Sequence, residues 1–281
     1  MQATASPAAD QLQERSLRDR PSFWRSILLE LLALLIFVGI FNLLLPNLGD
    51  NLNDAALIVL GVLFSVVPAA IWLTVFYRAD RAEPEPKRLV ITVYLAGLLV
   101  AVALNQLVLN IIFDVESWML NFWWSQLFGE ILLVGFLSMG TVYLVVRYLV
   151  FAQPEFDERI DGIIYAVAAG LGVATVSNFN YVLTHGGVDL DIGSIRMVVN
   201  TLGYASFAGV LGYFIGQARF EKTPIYYVPA GLAIAATLTG FYFFLLDRVG
   251  GSGLAPSAWR DLLLAAVVAV ATTAAVGWLV Q

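Results

Sequence analysis

The chain contains no cysteine and a single histidine, His185. Without cysteine there is no disulfide and no thiolate metal site. With one imidazole and no thiol, a His-rich or Cys-rich zinc site cannot be assembled within one chain, and no H-E-x-x-H helix exists. His185 falls in a predicted outer loop, Thr184-His185-Gly186-Gly187, where it reads as a solvated side chain. An intramembrane Ser–His pair is thereby excluded. Both lysines, Lys87 and Lys222, fall in predicted loops, which argues against a buried Ser–Lys dyad. Two embedded aspartates, as a two-aspartate intramembrane site requires, are missing. There is no phosphate-binding P-loop and no G-x-G-x-x-G behind a strand. Charge is scarce as well: 13% of residues are charged, against about 25% in soluble domains. The formal net charge of −6 is spread over loops beside arginines. No basic face is available to bind nucleic acid.

What the chain has instead is apolar length. Hydrophobic residues make up 60% of it, in runs that reach the roughly 20 residues needed to cross a hydrocarbon core as a helix. The runs are 27–45, 55–77, 89–113, 122–146, 160–183, 195–217, 228–246 and 262–280. The expected fold is therefore all-α: a polytopic transmembrane helical bundle of about eight spans. A polar tail, residues 1–22, precedes a single transmembrane domain, residues 23–281. The first run is too long for a signal-peptide core and reads as a retained signal anchor. The fourth can extend to Phe151, since Arg147 can snorkel.

Basic residues orient the spans. Arg15, Arg18, Arg20, Arg25, Arg78, Arg81, Lys87, Arg88, Arg147, Arg159, Arg219 and Lys222 fall on one side. Only Arg196, Arg248 and Arg260 fall on the other. Twelve of fifteen basic residues on one side put both termini of a multi-pass protein in the cytoplasm.

The fifth and sixth spans are rich in small residues: Ala166, Ala168, Ala169, Gly170, Gly172 and Ala174, then Gly203, Gly209, Gly212 and Gly216. Small residues let helix backbones approach, so these two spans are expected at the bundle centre. The third, with Asn105, Gln106 and Asn110, can join them; the first and eighth are expected at the periphery. Two acids lie inside spans, and an intramembrane carboxylate is a functional candidate by default. Glu30 is about one turn from the cytoplasmic end and can reach headgroups. Glu130 is deeper, roughly two turns beyond Phe122. It reads either as a protonated carboxyl bonded to a neighbouring helix or as a catalytic group.

The middle of the chain carries a family resemblance. Arg78-Ala79-Asp80-Arg81-Ala82-Glu83-Pro84-Glu85-Pro86 precedes a span. Glu155-Phe156-Asp157-Glu158-Arg159-Ile160-Asp161-Gly162-Ile163-Ile164-Tyr165 opens another, followed by Gly170-Leu171-Gly172 and Ser177-Asn178-Phe179-Asn180-Tyr181. Over about residues 78–246 the chain resembles the PrsW family of intramembrane proteases, within the wider group of CAAX-protease and bacteriocin-processing membrane proteins. The resemblance implies a helical bundle. For intact members it also implies site-one cleavage of a single-span anti-sigma factor.

The family pattern that the resemblance implies places Glu-Glu-x-x-Lys on one span, Glu-Asn-x-x-Tyr on the next, a His on the following span and a Leu-His-Gly on the one after. Carboxylates and imidazoles at those places would activate water or bind a metal. In this sequence the Glu-Asn part is Ser177-Asn178, the first His position falls at Tyr204, and Leu-His-Gly is Leu238-Thr239-Gly240. An ungapped register puts the Glu-Glu-x-x-Lys part at Ser138, Met139 and Val142; a register shifted by about nine residues would put its second Glu on Glu130. The resemblance therefore implies a scaffold with replaced catalytic groups, no metal and no cofactor. Its partners would be the lipid bilayer and single-span membrane proteins. The alternatives are a working endopeptidase that uses Glu130, and a small transporter. The remaining motif residues read structurally. Glu83 and Glu85 sit in a loop stiffened by two prolines, either a stiff turn or a docking surface. Asp157 belongs to the same signature as Asp161, which is placed to meet a helix N-terminus. Gly162 permits close packing.

Overall fold

A computed structural model of the chain describes residues 28–29, 31–40, 53–79, 85–184, 193–251 and 258–280. Glu30, Glu83, His185 and the polar tail lie outside the described residues, as do the side chains of Asn105, Gln106 and Asn110. The described residues form helices joined by turns, with no strand among them. A spanning backbone must satisfy its own hydrogen bonds where water is absent, which helices do internally.

The helices fall on the expected runs. They are α1 (Leu31–Ile40), α2 (Asp54–Ala79), α3 (Lys87–Leu104), α4 (Trp123–Val150), α5 (Arg159–Thr184), α6 (Gly193–Phe220), α7 (Tyr227–Gly251) and α8 (Ala258–Val280). Among the described residues, α2 to α7 each contain a stretch long and apolar enough to cross a membrane, and α1 is a shorter apolar helix. The fourth span takes its longer form and runs to Val150. The Arg147 guanidinium folds back over the Phe151 ring at 4.3 Å. Two stretches of α4, Glu130–Gly135 and Val146–Val150, are wound as wide π-type turns. A third such stretch, Asn105–Ile112, continues α3. Helix starts are capped by side chains. Asn53 accepts the Ala56 N–H at 2.9 Å ahead of α2. The Asp161 carboxylate accepts the N–H groups of Asp157 and Glu158 at 2.9 and 2.7 Å, satisfying donors that the α5 turn leaves free.

The centre is α5 against α6. Four-fifths of each (83%) is buried inside the bundle, against 25–33% of α2, α3 and α7. The reason is written in the glycines. Gly162 of α5 lies directly on the backbones of Gly212 and Gly216, and Gly170 lies on Ala208 and Tyr204. The third span flanks this centre: Gly97 of α3 meets the Ala169 backbone, and Gly172 of α5 meets Tyr94 and Leu98. Tyr94 and Thr175 share a buried hydroxyl–hydroxyl bond of 3.0 Å. α7 closes onto α4 through Gly135 on Ala236 and Gly240 on Glu130. The eighth span is less peripheral than its plain sequence suggests, because α8 lies along α6 and buries Leu262, Ala265 and Ala269. One apolar core continues from Leu34 on α1 to Ala269 on α8.

Two neighbouring glycines of α6 make this packing testable. A Cβ at Gly212 would run into the Gly162 carbonyl and the Ile163 Cα, both backbone atoms. At Gly209 it would rest 3.5 Å from a Val167 methyl. Gly212→Ala should therefore cost about 1–3 kcal/mol through overpacking. Gly209→Ala should be neutral, or stabilise by about 0.5–1 kcal/mol through helix propensity. Thermal melts of the two variants in detergent are expected to move apart from wild type in opposite directions or, at least, only for Gly212→Ala.

Candidate functional site

Tyr204 is the hub of a hydroxyl cluster inside the bundle. It comes from α6, is 4% exposed, and its hydroxyl stands near Ser138 of α4 and Ser177 of α5. Its ring tilts against Phe243 of α7, with centroids 4.8 Å apart. Three positions that the sequence reading singled out on three different spans thus meet at one point. Thr239 is one turn before Phe243 on α7 and fully buried, but its hydroxyl is returned to its own helix, donating to the Ala235 carbonyl at 2.7 Å. Met139 and Val142 are fully buried members of the apolar core.

Asn178, next to Ser177, links α5 to α6. Its Oδ1 accepts from Asn200 Nδ2 at 3.1 Å, and its own Nδ2 donates to the Met197 carbonyl at 3.3 Å. Thr201 donates to the same Met197 carbonyl at 2.7 Å. The tyrosine–serine cluster is therefore flanked by an amide network that is satisfied within the protein, as buried polar groups need to be.

Glu130 opens the first wide turn of α4 and is 8% exposed. Gly240 presses on its backbone: a Cβ at Gly240 would collide with the Glu130 carbonyl and the Ile131 Cα. Gly240 is thus seated on the backbone of a residue whose carboxylate is buried. The charged neighbours that act on Glu130 are Asp247 of α7 and Arg196 of α6, and Glu130 and Arg196 both act in turn on Tyr204. Glu130 accepts no hydrogen bond from any described residue.

The signature motifs meet elsewhere, at the Arg219 end of α6. The Tyr165 hydroxyl donates to the Glu85 carboxylate, and Glu85 is buried. That residue of the Glu-Pro-Glu-Pro loop is turned into the bundle, where it is not presented as a docking surface. Phe156 is 1% exposed and stacks on Tyr165 and on Phe220, each at 6.1 Å. Arg219 closes the knot by donating to the carbonyls of Phe151 and Gln153. Arg159 pairs with Glu221 at 2.8 Å on the exposed rim. Asp157 is exposed and contributes its backbone N–H to Asp161. Tyr165 and Ser177 are twelve residues apart on α5, roughly 18 Å along the helix, so this knot sets architecture and does not line the hydroxyl cluster. The Tyr165–Glu85 tie was not foreseen from the sequence. The signal that could have found it is a tyrosine on an apolar helix face together with a proline-stiffened acid ahead of another span.

The chemistry of these groups bears on a metal. Among the described residues no three carboxylate or imidazole side chains are placed to hold one. The cluster offers hydroxyls, which are poor ligands unless ionised, in place of the imidazole and carboxylate donors that divalent zinc prefers. The described residues do not fit a catalytic metal.

Comparison with known proteins gives a coherent answer. The family described as PrsW family intramembrane metalloprotease matches residues 85–276. The chain is 25% identical to Protease PrsW of Bacillus subtilis (strain 168) over 186 residues, covering 66% of this chain and 81% of that protein. It is 29% identical to Protease PrsW of Geobacillus kaustophilus (strain HTA426) over 182 residues, 64% of this chain and 77% of the relative. To Protease PrsW of Shouchella clausii (strain KSM-K16) it is 29% identical over 190 residues, 67% and 84% of the two chains. No solved structure matches the chain.

Proposed function

The chain belongs to the PrsW family of intramembrane metalloproteases, and from that premise we propose that it is a member whose catalytic groups have been replaced, and that it binds single-span membrane proteins without cutting them. The observation that carries this reading is the hydroxyl cluster. Peptide hydrolysis needs a base or metal to activate water and an acid to protonate the leaving amine. Ser138 and Ser177 stand near the Tyr204 hydroxyl, and neutral hydroxyls without a basic partner do neither job near neutral pH. Met139, Val142 and Thr239 add no titratable group. What remains is a multi-pass helical scaffold with a closely packed centre, suited to holding another helix against its flank.

The rival reading is an active endopeptidase built on Glu130. Its support is the contact of Gly240 with the Glu130 backbone, which brings the Leu238-Thr239-Gly240 stretch to an embedded carboxylate. One experiment separates the two. Purified protein in liposomes is expected to leave single-span test substrates, including an anti-sigma factor, uncut, and to retain no stoichiometric zinc after dialysis. Reproducible cleavage that disappears in Glu130→Gln would overturn the binding reading in favour of the protease.

We also propose the orientation given by the basic residues, with both termini in the cytoplasm of a bacterial inner membrane, a polar tail over residues 1–22 and one transmembrane domain over residues 23–281. Reporter fusions after Gln281 and within the segment between α7 and α8 should give opposite locations. The same location from both would remove this topology.

A further inference from the structure

The chain between α3 and α4 folds back against α4. It reverses at Asp114, whose φ of 43° is left-handed. It then makes one helical turn over Val115–Trp118 and a tighter one over Met119–Asn121, and enters α4 at Trp123. A Cβ at Gly129 would lie 2.8 Å from the Met119 sulfur and 3.7 Å from the Trp118 ring. Gly129 closes the first stretch of α4, Trp123–Gly129, roughly 9 Å along the helix from its start. The fold-back therefore lies beside the first turns of a spanning helix, not beyond its end. Those turns are also held to the bundle, since Gln126 donates to Asp247 of α7 at 2.6 Å.

The side chains of this stretch divide by character. Phe113, Leu120, Phe122, Trp123 and Trp124 are between 47% and 68% exposed, and Phe122 stacks on Trp124 at 5.7 Å. Asp114, Ser117 and Asn121, spaced three and four residues apart, are exposed polar groups. The backbone is closed by the stretch's own side chains. Trp118 Nε1 donates to the Phe113 carbonyl at 2.8 Å, Ser117 Oγ to the Asp114 carbonyl at 2.7 Å and Asn121 Nδ2 to the Ser117 carbonyl at 3.2 Å. The Ser125 hydroxyl, 4% exposed, donates to the Phe122 carbonyl at 2.8 Å and accepts the Phe122 N–H at 3.1 Å. In water such carbonyls bond to solvent at little cost. A layer poor in water requires an internal partner for each.

We propose that residues 113–124 form an in-plane interfacial element. Its partner is the glycerol and upper acyl layer of the leaflet in which α4 begins, and it fixes the depth of α4 there. The position beside the first turns of α4 matches the 5–10 Å to which interfacial helices sink. Tryptophan and phenylalanine at a span end suit that layer, where one edge of a ring meets headgroups and its body meets acyl chains. The polar residues can face the headgroups while Leu120, Phe122, Trp123 and Trp124 enter lipid. Because the Met119–Gly129 contact ties the element to α4, an anchor on one is an anchor on the other. The inference holds whether the chain cuts its partners or only binds them.

The lack of cysteine makes the test direct, since a single introduced cysteine can carry a nitroxide. The full chain is placed in phosphatidylcholine vesicles with the label at Leu120→Cys, Trp123→Cys or Ser117→Cys, all exposed positions. Relaxation by oxygen, which collects in the acyl layer, is compared with relaxation by a water-soluble nickel chelate. Oxygen should dominate at Leu120 and Trp123 by at least about threefold, and the balance should move toward the chelate at Ser117. Replacing Trp123 and Trp124 together by Ala should move a label at Leu132→Cys, an exposed position of α4, by about 1.5 Å or more in depth, one residue of helix rise. The Leu120→Cys label keeps both tryptophans, so it decides the placement even where the double Ala variant does not fold. A chelate that dominates at Leu120 and Trp123 makes the stretch an aqueous loop and overturns the inference. Weak relaxation by both reagents would mean that a second copy of the chain covers the face, and overturns it too. An unchanged depth at Leu132 overturns the anchoring role.

Discussion

Replacing Tyr165 by Phe is expected to lower the unfolding free energy by about 1.5–3 kcal/mol, the range for a hydrogen bond to a charged group. The ring of Tyr165 would stay in its stack with Phe156, so the loss isolates the hydroxyl. That hydroxyl donates to the Glu85 carboxylate, and both side chains are buried. Deleting the donor leaves an anionic acceptor in place, and this asymmetry makes the effect large. Glu85→Gln removes the charge and keeps an acceptor, so it should cost less. The double variant should cost less than the two single changes added together, by about 0.5–3 kcal/mol, as for contacting residues. Chemical denaturation of the four proteins in mixed micelles measures the cycle. Additive costs would mean that the loop ahead of α3 and the start of α5 are not tied through this pair.

The consequence reaches past stability. Glu85 stands immediately before Pro86, whose carbonyl accepts the first N–H groups of α3, from Leu89 and Val90. Tyr165 is in the second turn of α5. The bond therefore sets where α3 begins relative to α5, the pair that closes through Gly97 on Ala169 and Gly172 on Tyr94. A slip of one residue at this end would move each glycine off its partner backbone.

This tie marks the limit of what the sequence made legible. The spans were legible because about 20 apolar residues have only one cheap conformation in a hydrocarbon core. The central position of α5 and α6 was legible because Gly162, Gly170, Gly212 and Gly216 are costly in a helix unless another backbone needs the room. Long-range polar pairs were hidden. Glu85 and Tyr165, or Gln126 and Asp247, carry no local signal that names the other member, since a carboxylate in a loop and one at a helix end look alike in one dimension. The lie of α8 along α6 was hidden for the same reason: its small apolar face resembles a lipid-facing one. The length of α4 was open because Arg147 ends an apolar run but not a helix; the ring of Phe151 shelters its guanidinium. Of the positions given by the family resemblance, Ser138, Ser177 and Tyr204 share one cluster, while Thr239 is turned back on its own helix.

Putting acid and imidazole back into that cluster should expose it as one coupled site. Ser177→Glu alone introduces a carboxylate into a spanning helix, a change that costs up to about 2.5–3.5 kcal/mol for an acid on insertion scales. Tyr204→His alone removes the hydroxyl that stands beside Ser138 and Ser177 and empties part of the space against Phe243, at a cost of about 3 kcal/mol by analogy with other large-to-small core changes. Together the new side chains would stand where Tyr204 and Ser177 are now neighbours. A carboxylate and an imidazolium in hydrogen-bonding contact compensate each other in a low-dielectric interior. The double variant should therefore be at least about 1 kcal/mol more stable than the sum of the single effects predicts, within the coupling range for contacting residues. The compensation needs the imidazole charged, so it should be largest below the ordinary histidine pKa of about 6.5 and shrink as pH rises past the value the pair acquires. Melting temperatures of the four proteins at pH 5.5 and 8.5 give the answer. A coupling that is absent at both pH values would mean that Ser177 and Tyr204 do not form a site into which catalytic groups could be returned.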